Sequence, residues 1–431
     1  MMMPLTVIPF LFAACQGGAA VAPAPSSDPG ELTCDPANGG VTLPEGFCAL
    51  VVADNLGRAR HLQVTESGDI YVRFRETEDA RGGVVGLRDT DGDGRADLEE
   101  WFADHYGTGI EVHDGYLYVS TDTSVLRYRI PEGQLAPGGE PETVIEGFPP
   151  QRQHRAKPFA FDDEGLIYVT VGAPSNAGQE QSRTKGAPGM RPCPQLERQA
   201  GIWRFDANRT GLTQEQDGHR YATGIRHAVA IAWDATSRAG YVVQHGRDQL
   251  HALWPEHFTS EQNAKIPAEE LLALEEGADY MWPYCYFDPL QGKKLLAPEY
   301  GGDGKKVGDC GKAPEPLVAF PGHWAPNDSI FYTGKQFPER YRGGAFIAFH
   351  GSWNRAPLPQ GGYNVVFVPM KDGRPSGDWE VFAKGFAGQE PLASPRDARF
   401  RPMGLAQGPD GSLYVSDSVR GRIWRIMYKG G

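Results

Sequence analysis

The stretch GPDGSLYV, residues 408–415, shows the pattern that decides the fold: a turn rich in Gly and Asp leads into a short alternating strand. The same phrase occurs five more times along the chain. The other copies are ESGDIYV (66–72), HDGYLYV (113–119), DDEGLIYV (162–169), SRAGYVV (237–243) and YRGGAFIAF (341–349). Six such units predict an all-β protein, a six-bladed β-propeller, because each blade buries its faces only against neighbours on both sides.

The propeller domain is predicted to span residues 34–429. That length exceeds what six blades of four short strands need, so long inserted loops are expected, the largest between residues 253 and 328. One segment, PAEELLALEEG (267–277), has helical periodicity and is the best helix candidate. A two-sheet sandwich is the alternative architecture, but the regular repeats favour the propeller.

The bulk properties exclude several classes of function. The chain has 431 residues and a formal net charge of −13, which makes nucleic acid and anionic membrane surfaces poor partners. It contains no GxGxxG after a strand, no GxxxxGK, no HExxH and no GxSxG. A Rossmann-bound nicotinamide, a P-loop nucleotide, a zincin and a serine hydrolase of the α/β type are therefore unsupported.

The first residues predict export. Residues 1–15 form a short apolar run that ends in FAAC, which resembles a bacterial lipoprotein cleavage box with Cys15 as the lipid-bearing residue. Simple secretion is the alternative, because no Lys or Arg precedes the run. Residues 16–33 are predicted to be a flexible linker. The expected location is the bacterial periplasm or cell envelope, with a membrane tether only through lipidated Cys15.

Export also permits disulfides. The pairs Cys34–Cys48 and Cys285–Cys310 would each close a modest loop, which leaves Cys193 single. No CxxC motif is present, so neither a zinc site nor a redox dithiol is indicated.

The stretch DTDGDGRADLEE, residues 89–100, has the spacing of an EF-hand calcium loop. The segment before it is strand-like, and only LEEWFADHYG afterwards has a pattern compatible with a helix, so we predict an isolated loop between strands. A bound structural calcium is favoured, and an acidic hairpin that binds nothing is the alternative. The predicted calcium ligands are Asp89, Asp91, Asp93, Arg95 and Glu100.

Basic residues stand close to the ends of several predicted strands. They lie in GRARHLQV (57–64), QHRAKPFAF (153–161), GIRHAVAIAW (224–233), AFHGSWNR (348–355) and RFRPMGLA (399–406). If these strand ends face one rim, guanidinium and imidazole groups converge on a central pocket suited to a small polyanion. Lys157 is interpreted as a solvated charge.

Seven segments, taken in their order along the chain, together resemble the soluble PQQ-dependent sugar dehydrogenase superfamily, in particular its sorbosone and pyranose dehydrogenase branches. The segments are QHRAKPFAF, GIRHAVAIAW, HGRDQL (245–250), WPYCY (282–286), HWAPND (323–328), AFHGSWNR and RPMGLAQGPDGSLYVSD (401–417). The likeness covers nearly the whole of the predicted domain. The resemblance implies a six-bladed propeller, which agrees with the repeat count. It also implies two cofactors, PQQ and Ca²⁺, at the central pocket.

Residue roles follow from the resemblance, motif by motif. His154 matches the general base, and Arg226 matches a catalytic residue at the reactive face of the quinone. The other cofactor-binding positions are Arg60, His227, His350, Asn354, Arg399 and Arg401. The cofactor calcium is expected at Gly246, Arg247 and Asp248, through the backbone carbonyls of the first two.

The function implied is oxidation of an aldose, or of a sugar-derived aldehyde such as sorbosone, with electrons leaving for a quinone or cytochrome. Two alternatives stay open. A calcium-dependent propeller lactonase requires Glu, Asp and Asn to converge on the axis. A non-catalytic envelope propeller with a decayed cofactor site is kept open by His227, since relatives often have Asn at that position.

Overall fold

Six sheets form a closed ring of blades, each built on four antiparallel strands and one of them extended by a fifth, and the predicted six-bladed β-propeller is confirmed. The structure, a computed structural model, describes residues 32–76 and 82–430. The predicted export signal and Cys15, and most of the predicted linker, lie outside the described residues. No helix in the described ranges has the length and apolar character needed to cross a bilayer.

The strands follow one another blade by blade along the chain. A first strand, β1 (Phe47–Ala53), precedes the first complete blade. The first blade comprises β2 (Ala59–Val64), β3 (Ile70–Phe74), β4 (Gly83–Arg88) and β5 (Leu98–Phe102). The second comprises β6 (Ile110–His113), β7 (Tyr116–Ser120), β8 (Val125–Arg129) and β9 (Glu142–Glu146). The third comprises β10 (Phe159–Phe161), β11 (Leu166–Val171), β12 (Gly201–Asp206) and β14 (His219–Thr223), while β13 (Leu212–Thr213) pairs with β9.

The last three blades repeat this arrangement. The fourth comprises β15 (Ala228–Asp234), β16 (Ala239–Gln244), β17 (Glu269–Ala273) and β20 (Val318–Phe320). The fifth comprises β21 (Pro326–Phe331), β22 (Ala345–Phe349), β23 (Asn364–Val368) and β26 (Glu380–Ala383). The sixth comprises β27 (Pro402–Gln407), β28 (Leu413–Asp417) and β29 (Ile423–Tyr428), and is completed by β1.

The repeated phrase found in the sequence is the second strand of every blade. The six copies supply β3, β7, β11, β16, β22 and β28. Each of these strands pairs with the innermost strand of its blade on one side and with the third strand on the other. This explains the shared apolar pattern, because a second strand is covered by neighbouring blades on both of its faces.

The ring is closed by pairing between the two ends of the described chain. Strand β1 pairs with β29 in antiparallel register, from Phe47 opposite Tyr428 to Val51 opposite Trp424. Apolar clusters fill all six interfaces between neighbouring blades. Each cluster contains residues of both neighbouring blades, for example Val84 and Leu117, Val125 and Ile167, Ile202 and Val242, Val243 and Ile347, Phe346 and Trp424, and Val72 and Tyr414.

The helix predicted at residues 267–277 is wrong, because the segment forms strand β17. Leu271 pairs with Val243 on one side and with Val318 on the other. The adjacent acids are buried but satisfied: Glu269 accepts hydrogen bonds from the backbone of Gly246 and Ala325. Tertiary pairing therefore overrides a local preference for helix.

The segment between residues 253 and 328 also differs from the expectation, since it supplies two blade strands as well as loops. Its insertions hold the hairpin β18 (Cys285–Asp288) and β19 (Lys293–Leu296), and a second small hairpin, β24 (Met370–Lys371) and β25 (Arg374–Pro375), extends the fifth blade. The short helices are α1 (Gln214–Asp217), α2 (Leu250–Leu253) and α3 (Ser260–Lys265). Short 3₁₀ turns lie at Pro36–Gly40, Pro194–Leu196, Pro298–Tyr300, Gly308–Lys312, Glu339–Tyr341 and Pro395–Asp397.

Both predicted disulfides are present. Cys34 is bonded to Cys48, which joins the start of the described chain to β1. Cys285 is bonded to Cys310 and ties the β18–β19 hairpin to the loop that follows it. Cys193 is free and buried, as the pairing predicts.

Candidate active site

One end of the propeller axis collects the polar residues that the sequence places near strand ends. Each innermost strand begins at this end, so Arg60 lies at the start of β2, and Arg226 and His227 stand just before β15. The loops that leave the second strands arrive at the same end, since antiparallel neighbours run in opposite directions. Those loops carry the segments around Asp122, Asn176, Asp248 and His350.

His154 is held in a fixed orientation at this end. Its Nδ1 lies 2.7 Å from the carbonyl oxygen of Ala173, and its ring stacks on that of His227 with centroids 4.5 Å apart. Because a carbonyl only accepts, Nδ1 carries the proton and Nε2 is the free basic nitrogen. Burial, followed by the positive charge of Arg226, holds the pKa of His154 well below its usual value, so the ring is neutral near pH 7.

The backbone of His154 lies in the left-handed region, with φ of 52°. Non-glycine residues adopt this conformation at a cost, and such residues concentrate at functional sites. Gly172 permits the close approach, because a Cβ there would lie 2.6 Å from the His154 Cβ and carbonyl oxygen.

Arg226 is buried and fully engaged by neighbouring oxygens. Its guanidinium donates to the carbonyl oxygen of Gly246 (2.9 Å), the carboxylate of Asp248 (3.1 Å) and both the backbone and side-chain oxygens of Asn176. Burial opposes ionisation of Asp248, but Arg226 and Arg183 outweigh it and hold the pKa of that carboxyl below its usual value. This network fixes the loop after β16 against the loop after β11.

Two of the three residues expected to bind calcium already offer their oxygens to this network. The Gly246 carbonyl and the Asp248 carboxylate both accept from Arg226, and the Arg247 side chain forms a buried ion pair with Glu299. Guanidinium groups on these oxygens compete directly with a cation. The donor set fits calcium poorly in this arrangement, so no catalytic step is assigned to the ion, and the site stays a prediction.

His350 and Arg401 form a second group beside the axis. His350 Nε2 lies 2.6 Å from the hydroxyl of Ser418. Arg401 donates from Nε to the carbonyl oxygen of His350 at 3.0 Å, and its guanidinium lies 5.7 Å from the centre of the Tyr363 ring. No carboxylate in the described ranges forms an ion pair with Arg401.

Two of the predicted cofactor contacts lie elsewhere. Arg399 is exposed, with its guanidinium 5.1 Å from the centre of the Phe400 ring, and it is not brought into the group around Arg401. Asn354 is buried, but its side-chain amide lies 3.3 Å or less from the ring nitrogens of His323. Its position supports the loop at His323, and the expected contact of Arg399 with a cofactor has no geometric support.

Arg60 is the strongest indication that an anion belongs here. The only hydrogen-bond partners of its guanidinium among the described residues are the Thr108 hydroxyl (3.2 Å) and the Met403 sulfur (3.1 Å). Burial, together with the charges of Arg75, Arg155 and Arg401, lowers the pKa of Arg60 to about 9. A buried cation without a counter-ion is costly, and a bound anion would remove that cost.

A cavity of about 180 Å³ lies directly against these groups. It joins the free face of His154 to the unpaired arginines. Its lining includes Arg60, Arg75, Thr108, Asp122, His154 and His227. Because PQQ is a planar tricarboxylate, the donor set around this cavity fits it: planar guanidinium groups match carboxylates in pairs, and the neutral imidazoles offer apolar faces to a ring.

Sequence reasoning missed several residues of this site. Arg75, Arg152 and Arg155 line the cavity. The signal for Arg152 and Arg155 is the density of basic residues in QRQHRAK (151–157), whereas Arg75 lies in RFRE (73–76), at the end of β3. The interpretation of Lys157 as solvated is wrong, because its side chain is fully buried and its Nζ donates to the Arg155 carbonyl oxygen at 2.7 Å. Burial lowers the pKa of Lys157 to about 8.

A second cavity, of about 290 Å³, runs along the axis and is lined by the innermost strands of all six blades. Two acids face it, Glu111 on β6 and Asp328 on β21. Burial raises the pKa of each to about 8. Next to them, His61 Nε2 lies 2.7 Å from the Asn327 carbonyl oxygen and 3.8 Å from the Asp328 carboxylate.

The predicted calcium loop lies away from the axis, between β4 and β5, as expected for an isolated loop. The carboxylates of Asp89, Asp91 and Asp93 come within 4.8 Å of one another, and no ion is present. Glu100 lies in β5 opposite Gly86 and is outside this group, while the Arg95 guanidinium pairs with Asp35. The helix considered after the loop is therefore wrong, and calcium binding here stays a prediction.

The architecture and the site define a class: a six-bladed propeller with an arginine-rich pocket around a neutral histidine at one end of its axis. A family model described as TrAA12-like matches residues 41–429. The chain therefore belongs to the TrAA12-like family, and its resemblance to the soluble PQQ-dependent sugar dehydrogenases is confirmed.

Curated relatives match parts of the chain. A pyrroloquinoline quinone-dependent pyranose dehydrogenase of Coprinopsis cinerea is 34% identical over 253 residues, which cover 50% of this chain and 32% of that protein. An uncharacterized protein of Borreliella burgdorferi is 26% identical over 217 residues, 48% of each chain. The chain thus spans half or less of the length of these relatives.

Solved structures share the fold over nearly the full length. The holo form of the PQQ domain of Coprinopsis cinerea pyranose dehydrogenase has a TM-score of 0.71 at 20% identity, covering 90% of this chain and 97% of that domain. A calcium structure of a Trichoderma reesei family AA12 enzyme has a TM-score of 0.73 at 18% identity, covering 92% and 98%. At these identities the likeness concerns the fold.

Proposed function

We propose that the protein is a PQQ-dependent dehydrogenase that oxidises an aldose, or a sugar-derived aldehyde such as sorbosone, at C1. The observation that carries the proposal is the convergence on one cavity of neutral His154 and Arg60, an arginine without a counter-ion, with the charge of Arg401 close enough to lower the pKa of Arg60. Membership of the TrAA12-like family supports the same class of reaction. Calcium is not part of this proposal, because Arg226 already binds two of the oxygens expected to hold it.

Different residues of the site would bind the cofactor and accept the proton of the substrate. When bound, PQQ would supply the two-electron acceptor for the hydrogen on the sugar C1. His154 is placed to take the hydroxyl proton at Nε2, because its Nδ1–H is fixed on Ala173. Arg60 and Arg401 would hold cofactor carboxylates, and the stacked ring of His227 keeps His154 from turning. The electrons are proposed to leave for a quinone or cytochrome.

The proposed location is the bacterial periplasm or cell envelope. The two disulfides support an oxidising compartment, since such bonds are rare in the cytosol. Lipidation of Cys15 would provide the membrane tether.

The residues that line the propeller axis argue against a calcium-dependent lactonase. Glu111 and Asp328 do line the axial cavity, but burial raises the pKa of each to about 8, which favours the neutral acids when no cation is bound. Among the described residues, one group of three potential metal-ligating side chains lies within 4.8 Å, namely Asp89, Asp91 and Asp93, and none of these residues lines either cavity.

The test has two parts. Titration of the purified protein with PQQ, followed by absorbance, is expected to show stoichiometric uptake, and the loaded protein is expected to reduce a redox dye when supplied with aldoses. His154→Ala should bind PQQ normally but lose about a hundredfold or more in turnover, as removal of a general base does. The exposed His257→Ala serves as the matched control.

Three results would contradict the proposal. Failure to take up PQQ would favour the non-catalytic propeller. Hydrolysis of lactones without PQQ would favour the lactonase. Full dye reduction by His154→Ala would remove that residue from the chemistry.

A further inference from the structure

A groove leads outward from the cavity beside His154. Its volume is about 690 Å³, within the range of about 300–1,000 Å³ typical of small-molecule sites. The groove and the inner cavity share part of their walls, so a ligand that reaches His154 continues into the groove. The shared residues are Tyr106, Asp122, Arg152 and Arg155.

The walls of the inner cavity and of the groove, taken together, are positively charged, with Arg75 in the inner cavity and Arg152 and Arg155 shared by both. Arg155 forms an ion pair with Asp122 at 3.3 Å and lies 5.0 Å from the centre of the Tyr106 ring. Arg75 and Arg152 have no side-chain hydrogen bond or ion pair with any residue in the described ranges. Asp122 is the one acidic residue in the lining of the two cavities. One carboxylate thus faces several guanidinium groups.

The cofactor alone does not balance this charge. Five arginines at this end of the axis lack a carboxylate partner among the described residues: Arg58, Arg60, Arg75, Arg152 and Arg401. PQQ would neutralise three of them with its three carboxylates, and a calcium ion would add positive charge. The local excess stands out in a chain whose net charge is −13. An anion other than the cofactor fits the remaining groups.

We propose that the substrate is a sugar that itself carries a negative charge, a carboxylate or a phosphate, and that Arg75 and Arg152 recognise this group while C1 faces His154. The inference rests on the proposed function. Guanidinium forks bind carboxylate and phosphate oxygens in pairs, which gives both attraction and orientation. The groove is the part of the site where the far end of a sugar would lie, because it continues outward from His154.

The test compares sugars that differ only in charge. The ratio of kcat/KM for D-galacturonate to that for D-galactose is measured on the PQQ-loaded protein, with D-galactose 6-phosphate as the second anion. We expect an anionic sugar to be preferred by tenfold or more at low salt. The preference should shrink as the NaCl concentration is raised, since salt screens exposed charges.

Substitutions of Arg75 and Arg152 test whether these residues cause the preference for anionic sugars. The double substitution Arg75→Gln with Arg152→Gln should lower the anion-to-neutral ratio by about tenfold or more, as expected when charge-assisted hydrogen bonds are lost. Arg374→Gln, an exposed arginine on the β24–β25 hairpin, removes one charge elsewhere and should leave the ratio unchanged. An unchanged ratio in the double variant would overturn the assignment of these two residues.

A binding measurement separates this inference from the proposed function. Calorimetry compares methyl α-D-galactopyranosiduronate with methyl α-D-galactopyranoside, whose blocked C1 prevents oxidation there. Tighter binding of the uronate, lost in the double variant, supports the inference even if no sugar reduces the dye. Equal affinities for the two glycosides, or equal kcat/KM for all three free sugars, would refute it and leave the dehydrogenase proposal standing.

Discussion

The substitution Glu111→Gln tests how the axial cavity affects stability. Glu111 lines that cavity, and its carboxyl makes no hydrogen bond with a described residue. Burial, followed by the charge of Asp328, raises its pKa from 4.5 to about 8. The folded state therefore favours the protonated acid. As pH rises above 4.5 the unfolded chain loses this proton first, so the folded protein becomes progressively less stable until about pH 8.

The size of the effect follows from the pKa. Each pH unit between 4.5 and 8 lowers the free energy of unfolding by about 1.4 kcal/mol, which gives about 5 kcal/mol as an upper limit for Glu111. The cavity has room for water, which screens the charge, so we expect about 2 kcal/mol. Glutamine keeps the shape and never ionises, so the variant should escape this loss.

Urea unfolding followed by tryptophan fluorescence measures the difference. At each pH, the free energy of unfolding of the natural protein is subtracted from that of Glu111→Gln. This difference should be about 2 kcal/mol larger at pH 8 than at pH 5. Glu132→Gln, at an exposed position, is the control and should show no such pH dependence. If Glu111→Gln gains equally at both pH values, the carboxyl is already ionised in the folded state and the reasoning fails.

Two further predictions concern buried charge. Arg60→Gln should weaken PQQ binding by about 10- to 100-fold in an absorbance titration, because a charge-assisted hydrogen bond is worth about 1.5–3 kcal/mol. An unchanged Kd for PQQ would mean that the cofactor does not bind at Arg60. Glu299→Gln should lower the free energy of unfolding by about 3–5 kcal/mol, since it leaves the buried Arg247 guanidinium without its partner. In the same urea assay Glu261→Gln, in an exposed pair with Lys265, should have little effect, and an equally small effect of Glu299→Gln would contradict the second prediction.

The pattern of neighbouring residues was enough to predict the blades. Each copy of the turn-strand phrase encodes a hairpin and an alternating strand, and these depend on contacts a few residues apart. The six copies became β3, β7, β11, β16, β22 and β28. The two disulfides were predictable for the same reason, because each closes a short loop within one region of the chain.

The helix predicted at residues 267–277 is wrong because the conformation of this segment depends on contacts with residues that are distant in the sequence. Glu269 and Glu270 resemble the polar face of a helix when the segment is considered alone. In the folded chain Glu269 is held by the backbone of Gly246 and Ala325, and Glu270 accepts from Gln244. Only the packed blade supplies those donors.

The sequence by itself determined the six-bladed ring, the pairing of its cysteines and the supply of arginine and histidine near strand ends. The tertiary structure alone decided which of them meet: Arg60 and His154 share one cavity, Arg399 points to solvent, and Lys157 is buried. The physical reason is that strand patterns are local, whereas the site exists only after β1 pairs with β29 and closes the ring. Closure brings residues hundreds of positions apart to the same end of the axis.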